Sequence, residues 1–187
     1  MKIYEAIYYF LLKPENAIKK SISFEYSLII YLIASLSIAI SVIYVIGTGS
    51  NIFNLMVLSF GIASYIAISN IVKIAIINLS VSIFFNNTKN KIKIFINNCL
   101  GIYGIFIFIL PITLLFSRFS NLCFIQIITL IILSIFYIFL LYKNIKYSFD
   151  IESSFKSILI LITPIMCDYL TYISLAVLIF GSIINII

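Results

Sequence analysis

Long apolar runs separated by short polar breaks make up almost the whole chain. About 20 helical residues cross a hydrocarbon core of about 30 Å. At that length the runs predict spans over 27–46, 53–73, 95–116, 122–142 and 157–182. The first closes at the turn-like stretch from Gly47 to Asn51, and the third at Ser117 to Asn121. Two runs exceed one perpendicular crossing but fall short of two. Ile52 to Phe85 carries Lys73, Asn78, Ser80 and Ser82 in its second half. That pattern predicts a helix that leaves the core and continues along the interface. Ile158 to Ile187 predicts a helix that tilts or projects beyond the bilayer. The expected fold is all-α: a polytopic membrane bundle of five transmembrane helices over 27–187, preceded by an N-terminal segment over 1–26.

In that N-terminal segment Ile3, Ala6, Ile7, Phe10 and Leu11 recur at helical spacing, which predicts a helix lying in the membrane interface. Pro14 suits the first turn of a second short helix, Glu15 to Ser21, because its missing N–H costs nothing there. The start lacks the layout of a cleavable secretory signal, so none is expected. The segment is too short to bury a core of its own, which excludes a soluble catalytic domain there.

Charge gives the series a direction. Of the 12 basic residues, Lys2, Lys13, Lys19 and Lys20 precede the first run, and Lys73, Lys89, Lys91 and Lys93 close the second. Lys143, Lys146 and Lys156 lie between the fourth and fifth, and Arg118 stands alone on the other side. Short basic segments stay in the cytoplasm, so the N-terminus is expected inside and the C-terminus outside or lumenal. Composition agrees: hydrophobic residues are 64% of the chain and charged residues 10%, too little polar surface to cover a soluble domain of 187 residues. The net charge of +6 is accounted for by topology and anionic lipid, so no nucleic-acid partner is expected. The expected location is a bacterial cytoplasmic membrane, with an ER or Golgi membrane as the alternative.

The chemistry of an intramembrane enzyme is missing. With no histidine, zinc-protease motifs and imidazole bases are excluded. No Gly-x-Ser-x-Gly elbow or Walker loop occurs, and no cofactor is implied. Asp168 is the one acidic residue inside a predicted span, so a two-carboxylate site lacks its second member. It is the candidate intramembrane polar site. Desolvation favours its neutral form, with Tyr169, Tyr172, Thr163 or a facing Asn as hydrogen-bond partners, and Pro164 one turn earlier predicts a kink. Both a structural contact and a proton or ligand site fit it.

Asn70, Asn97 and Asn98 are expected to hydrogen-bond between helices. Gly61, Gly101 and Gly104 are expected to let helices approach, and Cys99, Cys123 and Cys167 to be small core residues without a disulfide. Tyr26, Tyr31 and Tyr142 are expected to anchor at the interface.

Four features, taken in order, carry a resemblance. Leu12-Lys-Pro14 leads through a short helix into the first span, and the long second run ends in the basic loop Asn86 to Lys91. Tyr103 precedes Pro111 in the third span, and Tyr147 to Ser157 leads into the fifth. Over nearly its whole length the chain resembles the YIP1 family of five-span membrane proteins, in the short form of its bacterial members. The resemblance implies a non-enzymatic membrane scaffold or adaptor acting through helix packing and partner binding. In eukaryotic members an acidic, aromatic N-terminal motif links the family to Rab GTPases and vesicle trafficking. No such motif occurs here, so Rab binding is not carried over. The partners implied are the bilayer and other membrane proteins, a second copy included. The alternative is a small transporter or transporter subunit with Asp168 in a proton or substrate path.

Overall fold

The computed structural model describes residues 3–20, 23–46, 52–84, 89–117 and 122–184. These are mostly helical, with no strand among them. Two short helices, α1 (Ile3–Leu12) and α2 (Pro14–Lys20), precede α3 (Phe24–Ile46) and α4 (Ile52–Phe84). Then come α5 (Lys89–Ile102), a 3₁₀ segment (Tyr103–Phe108) and α6 (Ile109–Leu115), followed by α7 (Leu122–Ser148) and α8 (Ser154–Ile184). Four helical stretches among the described residues are long and apolar enough to cross a membrane: Phe24–Val45, Met56–Phe84, Lys91–Leu115 and Cys123–Ser148.

Polarity in this bundle is inverted relative to a water-soluble protein. Leu32, Ile68, Ile71, Ile132, Ile135 and Leu170 face outward. Ser41, Asn70, Lys73, Asn98, Gln126 and Asn144 are buried. Apolar flanks around a polar interior suit a hydrocarbon solvent, where polar side chains turn inward to find partners.

The central helix is α3, which packs on α4, α5, α6, the 3₁₀ segment and α8. Its small residues permit this: Ala34, Ser35, Ser37, Ala39 and Ser41 are all buried. The third apolar run is one helical path with a tightened middle. Pro111 has no N–H to give the carbonyl of Ile107. The Ser37 hydroxyl takes that carbonyl at 2.9 Å and accepts the Leu110 N–H at 3.1 Å. A side chain of α3 thus completes the backbone of the third helix.

Helix α4 is a single helix, as its long run predicts. It is unbroken over Ile52–Phe84, and its second half stays in the bundle, with Ile77 and Val81 fully buried. Stripe packing explains this: Ile66, Asn70, Lys73, Ile77 and Val81 follow helical spacing and are all buried, so no point exists at which the helix turns away. Glycines divide as well. A Cβ on Gly101 would stand 2.2 Å from the Phe10 ring, and one on Gly104 2.5 Å from Ile30, so both mark close approaches. Gly61 faces open space and does not.

The N-terminal helices are docked rather than loosely apposed. Phe10, Ala17 and Ile18 are buried, with α1 against α3 and α5 and α2 against α7 and α5. Lys143 donates to the Glu15 carboxylate and holds it below the usual carboxylate range. Because the folded value is the lower one, this contact stabilises the docked state above about pH 4.3 and is lost as pH falls through the folded value. Both side chains are partly exposed, so the effect is small. Acidification below about pH 4 is expected to raise protease access to the 13–20 segment, and Lys143→Met to abolish that pH dependence. A pH-independent cleavage rate in the parent chain would contradict it.

Candidate functional site

Most basic residues gather at one end of the bundle. There α7 ends in a Schellman-type cap: Ile151 N–H bonds the Lys146 carbonyl at 2.9 Å, and Asp150 adopts the left-handed conformation (φ 51°). Asp tolerates that region better than most residues, and the cap presents its carboxylate to Lys91 at 2.8 Å. Beneath this surface lies a polar junction. Asn144 donates to the Phe95 carbonyl at 3.2 Å and to Cys99 Sγ at 3.3 Å, and accepts from Ser148 Oγ at 2.7 Å. Asn98 donates to the Ile18 carbonyl at 3.1 Å and to Ser148 Oγ at 3.4 Å. Three elements, α2, α5 and α7, meet through these amides.

Deeper in the bundle four elements converge on a second cluster. Lys73, only 2% exposed, donates to the Tyr137 hydroxyl at 3.0 Å and stands 4.6 Å from that ring's centroid. Tyr137 meets Tyr103 edge-on at 5.6 Å, and Phe106 also at 5.6 Å. Tyr103 in turn packs on Tyr31 at 5.1 Å, whose hydroxyl accepts from Asn70 at 3.2 Å. The ammonium is held by its hydrogen bond to the Tyr137 hydroxyl, with the ring of the same residue beside it. Such a site can hold a cation in place, position a hydroxyl beside it, and recognise a negative group.

No known relative marks this site. Comparison with family models, curated proteins and solved structures finds no match. The functional reading therefore stands on the residues.

Several expected residues change role. Lys73 lies eleven residues before the end of α4 at Phe84, about 16 Å along the axis, and is buried against Tyr137. Tyr31 is a buried member of the cluster and not an interface anchor. Tyr26 and Tyr142 are half-buried against the core. Asn70 and Asn98 do bond between helices, and Asn97 is buried. Cys99 is core and Cys123 half-buried, both free thiols. Asp168 lies in α8, which continues as helix through Pro164. The side chains of Asp168, Thr163, Cys167 and Tyr172 lie outside the described residues. Tyr169 is 64% exposed. Among the described residues no group of three or more His, Cys, Asp or Glu side chains is assembled for a metal.

Proposed function

We propose that the chain is a five-span integral membrane protein, with α8 as the fifth span, the N-terminus cytoplasmic and the C-terminus outside. It acts without catalysing a reaction, as a scaffold or adaptor of YIP1 type that binds other membrane proteins. The observation that carries this reading is the construction of the basic end. Docked α1 and α2, the Asn98–Ser148–Asn144 junction and the Asp150 cap make it a fixed surface with Lys19, Lys91, Lys143 and Lys146 arrayed on it. A fixed, charged face avoids the ordering cost of a loose tail when a partner docks.

Reporter fusions after Gly49, Asn90, Ser120, Lys146 and Ile187 are expected to alternate outside, inside, outside, inside, outside. A cytoplasmic signal at Ile187 would sink the five-span arrangement. Site-specific crosslinkers at Lys19 and Lys146 are expected to capture the same discrete membrane partners. Capture that does not depend on position would contradict the adaptor role.

A second reading, a small transporter, is supported by the buried Lys73 cluster. It predicts that Asp168→Asn abolishes proton-coupled flux in reconstituted vesicles while the chain stays folded. Unchanged flux, or none in the parent, removes it.

A further inference from the structure

We propose that the groove between the start of α3 and the first turns of α5 holds one anionic phospholipid, its phosphate on Lys93 and an acyl chain along Phe24. The inference rests on the bundle lying in a membrane, and is independent of whether the protein binds partners or transports a solute.

The groove has a volume of about 410 Å³ and is lined by Phe24, Ile92, Lys93, Ile96 and Asn97. Its walls follow from spacing. Ile92 and Ile96 stand one turn apart on α5, as do Lys93 and Asn97, so two adjacent rows of that helix face Phe24. Asn97 is buried and the two isoleucines are half-buried, whereas Lys93 and Phe24 are exposed. The floor is therefore closed and largely apolar, and the cation stands at the rim. From Phe24 the exposed residues Leu28 and Leu32 continue along α3 at intervals of four. They form an apolar track of about 12 Å leading away from Lys93.

Depth sets the ammonium where a phosphate lies. The span Phe24–Val45 has 22 residues, about 33 Å of helix, which matches a hydrocarbon core of about 30 Å. Phe24 therefore marks the edge of the hydrocarbon. Helix α3 runs parallel to α5 and the 3₁₀ segment that continues it: Ile30 abuts Gly104, and Ser37 bonds the Leu110 N–H. Carried back at the same offset, these contacts set Phe24 level with Asn97 and Asn98, in agreement with the groove lining. Lys93 is one turn before Asn97, about 6 Å farther out. The headgroup region extends about 5–7 Å beyond the hydrocarbon on each face, so Lys93 stands within it. Helical side chains lean toward their own N-terminus, which carries the ammonium outward into that region.

Charge selects the ligand. At the same end Lys91 is held by Asp150, Lys143 by Glu15 and Lys146 by Ser154. Among the described residues no hydrogen bond, ion pair or ring contact engages the Lys93 side chain, and no acidic residue lines the groove. A cation at headgroup depth above an apolar track is complementary to an amphiphile with an anionic head and a hydrocarbon tail. Juxtamembrane lysines in general attract anionic lipid without a preferred contact. This groove supplies one, because it adds burial of the chain to the attraction of the charge.

The sequence contains no tryptophan, so Phe24→Trp places a single fluorophore in the groove. The full chain carrying it is reconstituted in phosphatidylcholine bilayers with a small share of chain-brominated lipid, either phosphatidylglycerol or phosphatidylcholine. Bromine quenches an indole only at close range. Brominated phosphatidylglycerol is expected to occupy the site about fivefold more often than brominated phosphatidylcholine, the factor one lysine near anionic lipid contributes. Lys93→Met is expected to abolish that preference, and Lys156→Met, an exposed lysine at the same end, to preserve it. Equal quenching by the two lipids in the Phe24→Trp chain would overturn the site. An equal loss of preference in both lysine variants would overturn it too, since that marks diffuse charge. Soluble inorganic phosphate is expected to leave the quenching unchanged; displacement of the lipid by phosphate alone would overturn the acyl-chain contact.

Discussion

Gly101→Leu is expected to expel α1 from the bundle while leaving α3 to α8 assembled. Any Cβ at 101 would meet the Phe10 ring at 2.2–2.4 Å, well inside contact distance. The ring is fully buried and cannot yield by a few tenths of an ångström, so Phe10 must leave its socket. Losing that burial costs about 1.5–3 kcal/mol. Ile7 and Tyr9 pack on the same core beside the ring, so displacing Phe10 loosens the whole helix. A cysteine at position 7 should become reactive to a soluble maleimide in Gly101→Leu. Gly61→Leu is the matched control, because nothing lies within 4 Å of its Cβ position. Continued protection of the N-terminal segment in the 101 variant would refute the tight approach.

Asn144→Leu is expected to destabilise the purified chain by about 1.5–2 kcal/mol, near the top of the range measured for polar contacts between membrane helices. Averages for such contacts are lower, about 0.6 kcal/mol, because an orphaned group commonly finds another partner. Here relocation is blocked. Asn144 is fully buried and serves the Phe95 carbonyl, Cys99 and Ser148 at once. Ser148 also holds Asn98, which reaches the Ile18 carbonyl in α2, so the loss spreads to the docking of the N-terminal helices. Thermal unfolding in detergent should show the decrease, accompanied by faster proteolysis of α2. A midpoint unchanged within error would mean that the junction contributes little.

The helices themselves were legible because apolar run length and bilayer thickness are matched quantities. The expected 27–46 and 122–142 spans lie inside α3 and α7, and Asn70 and Asn98 bond between helices as anticipated. The burial of Lys73 was missed for an identifiable reason. Counting about 20 residues from Phe53 stops at Lys73, and a lysine at the end of such a count resembles a loop charge. The contrary signal was present: Asn70 and Lys73 keep step with Ile66, Ile77 and Val81 on one helical face, which places them on a packed stripe. Tyr31 misled in the same way, since an aromatic near a helix start suits either an interface or a core. The Lys73–Tyr137 contact lies between residues far apart in the chain, and no local pattern encodes the pairing.

The Ser37 bridge also carries information about the order of assembly. The backbone around Pro111 receives a hydrogen bond from a hydroxyl on α3, a helix made earlier in the chain. In a chain inserted from its N-terminus, the third helix therefore arrives to find its missing partner already in the lipid. The reverse order would leave the Ile107 carbonyl exposed to hydrocarbon, which costs several kcal/mol. One serine thus makes an early helix a template for a later one, and it ties the sequence of synthesis to the path by which the bundle closes.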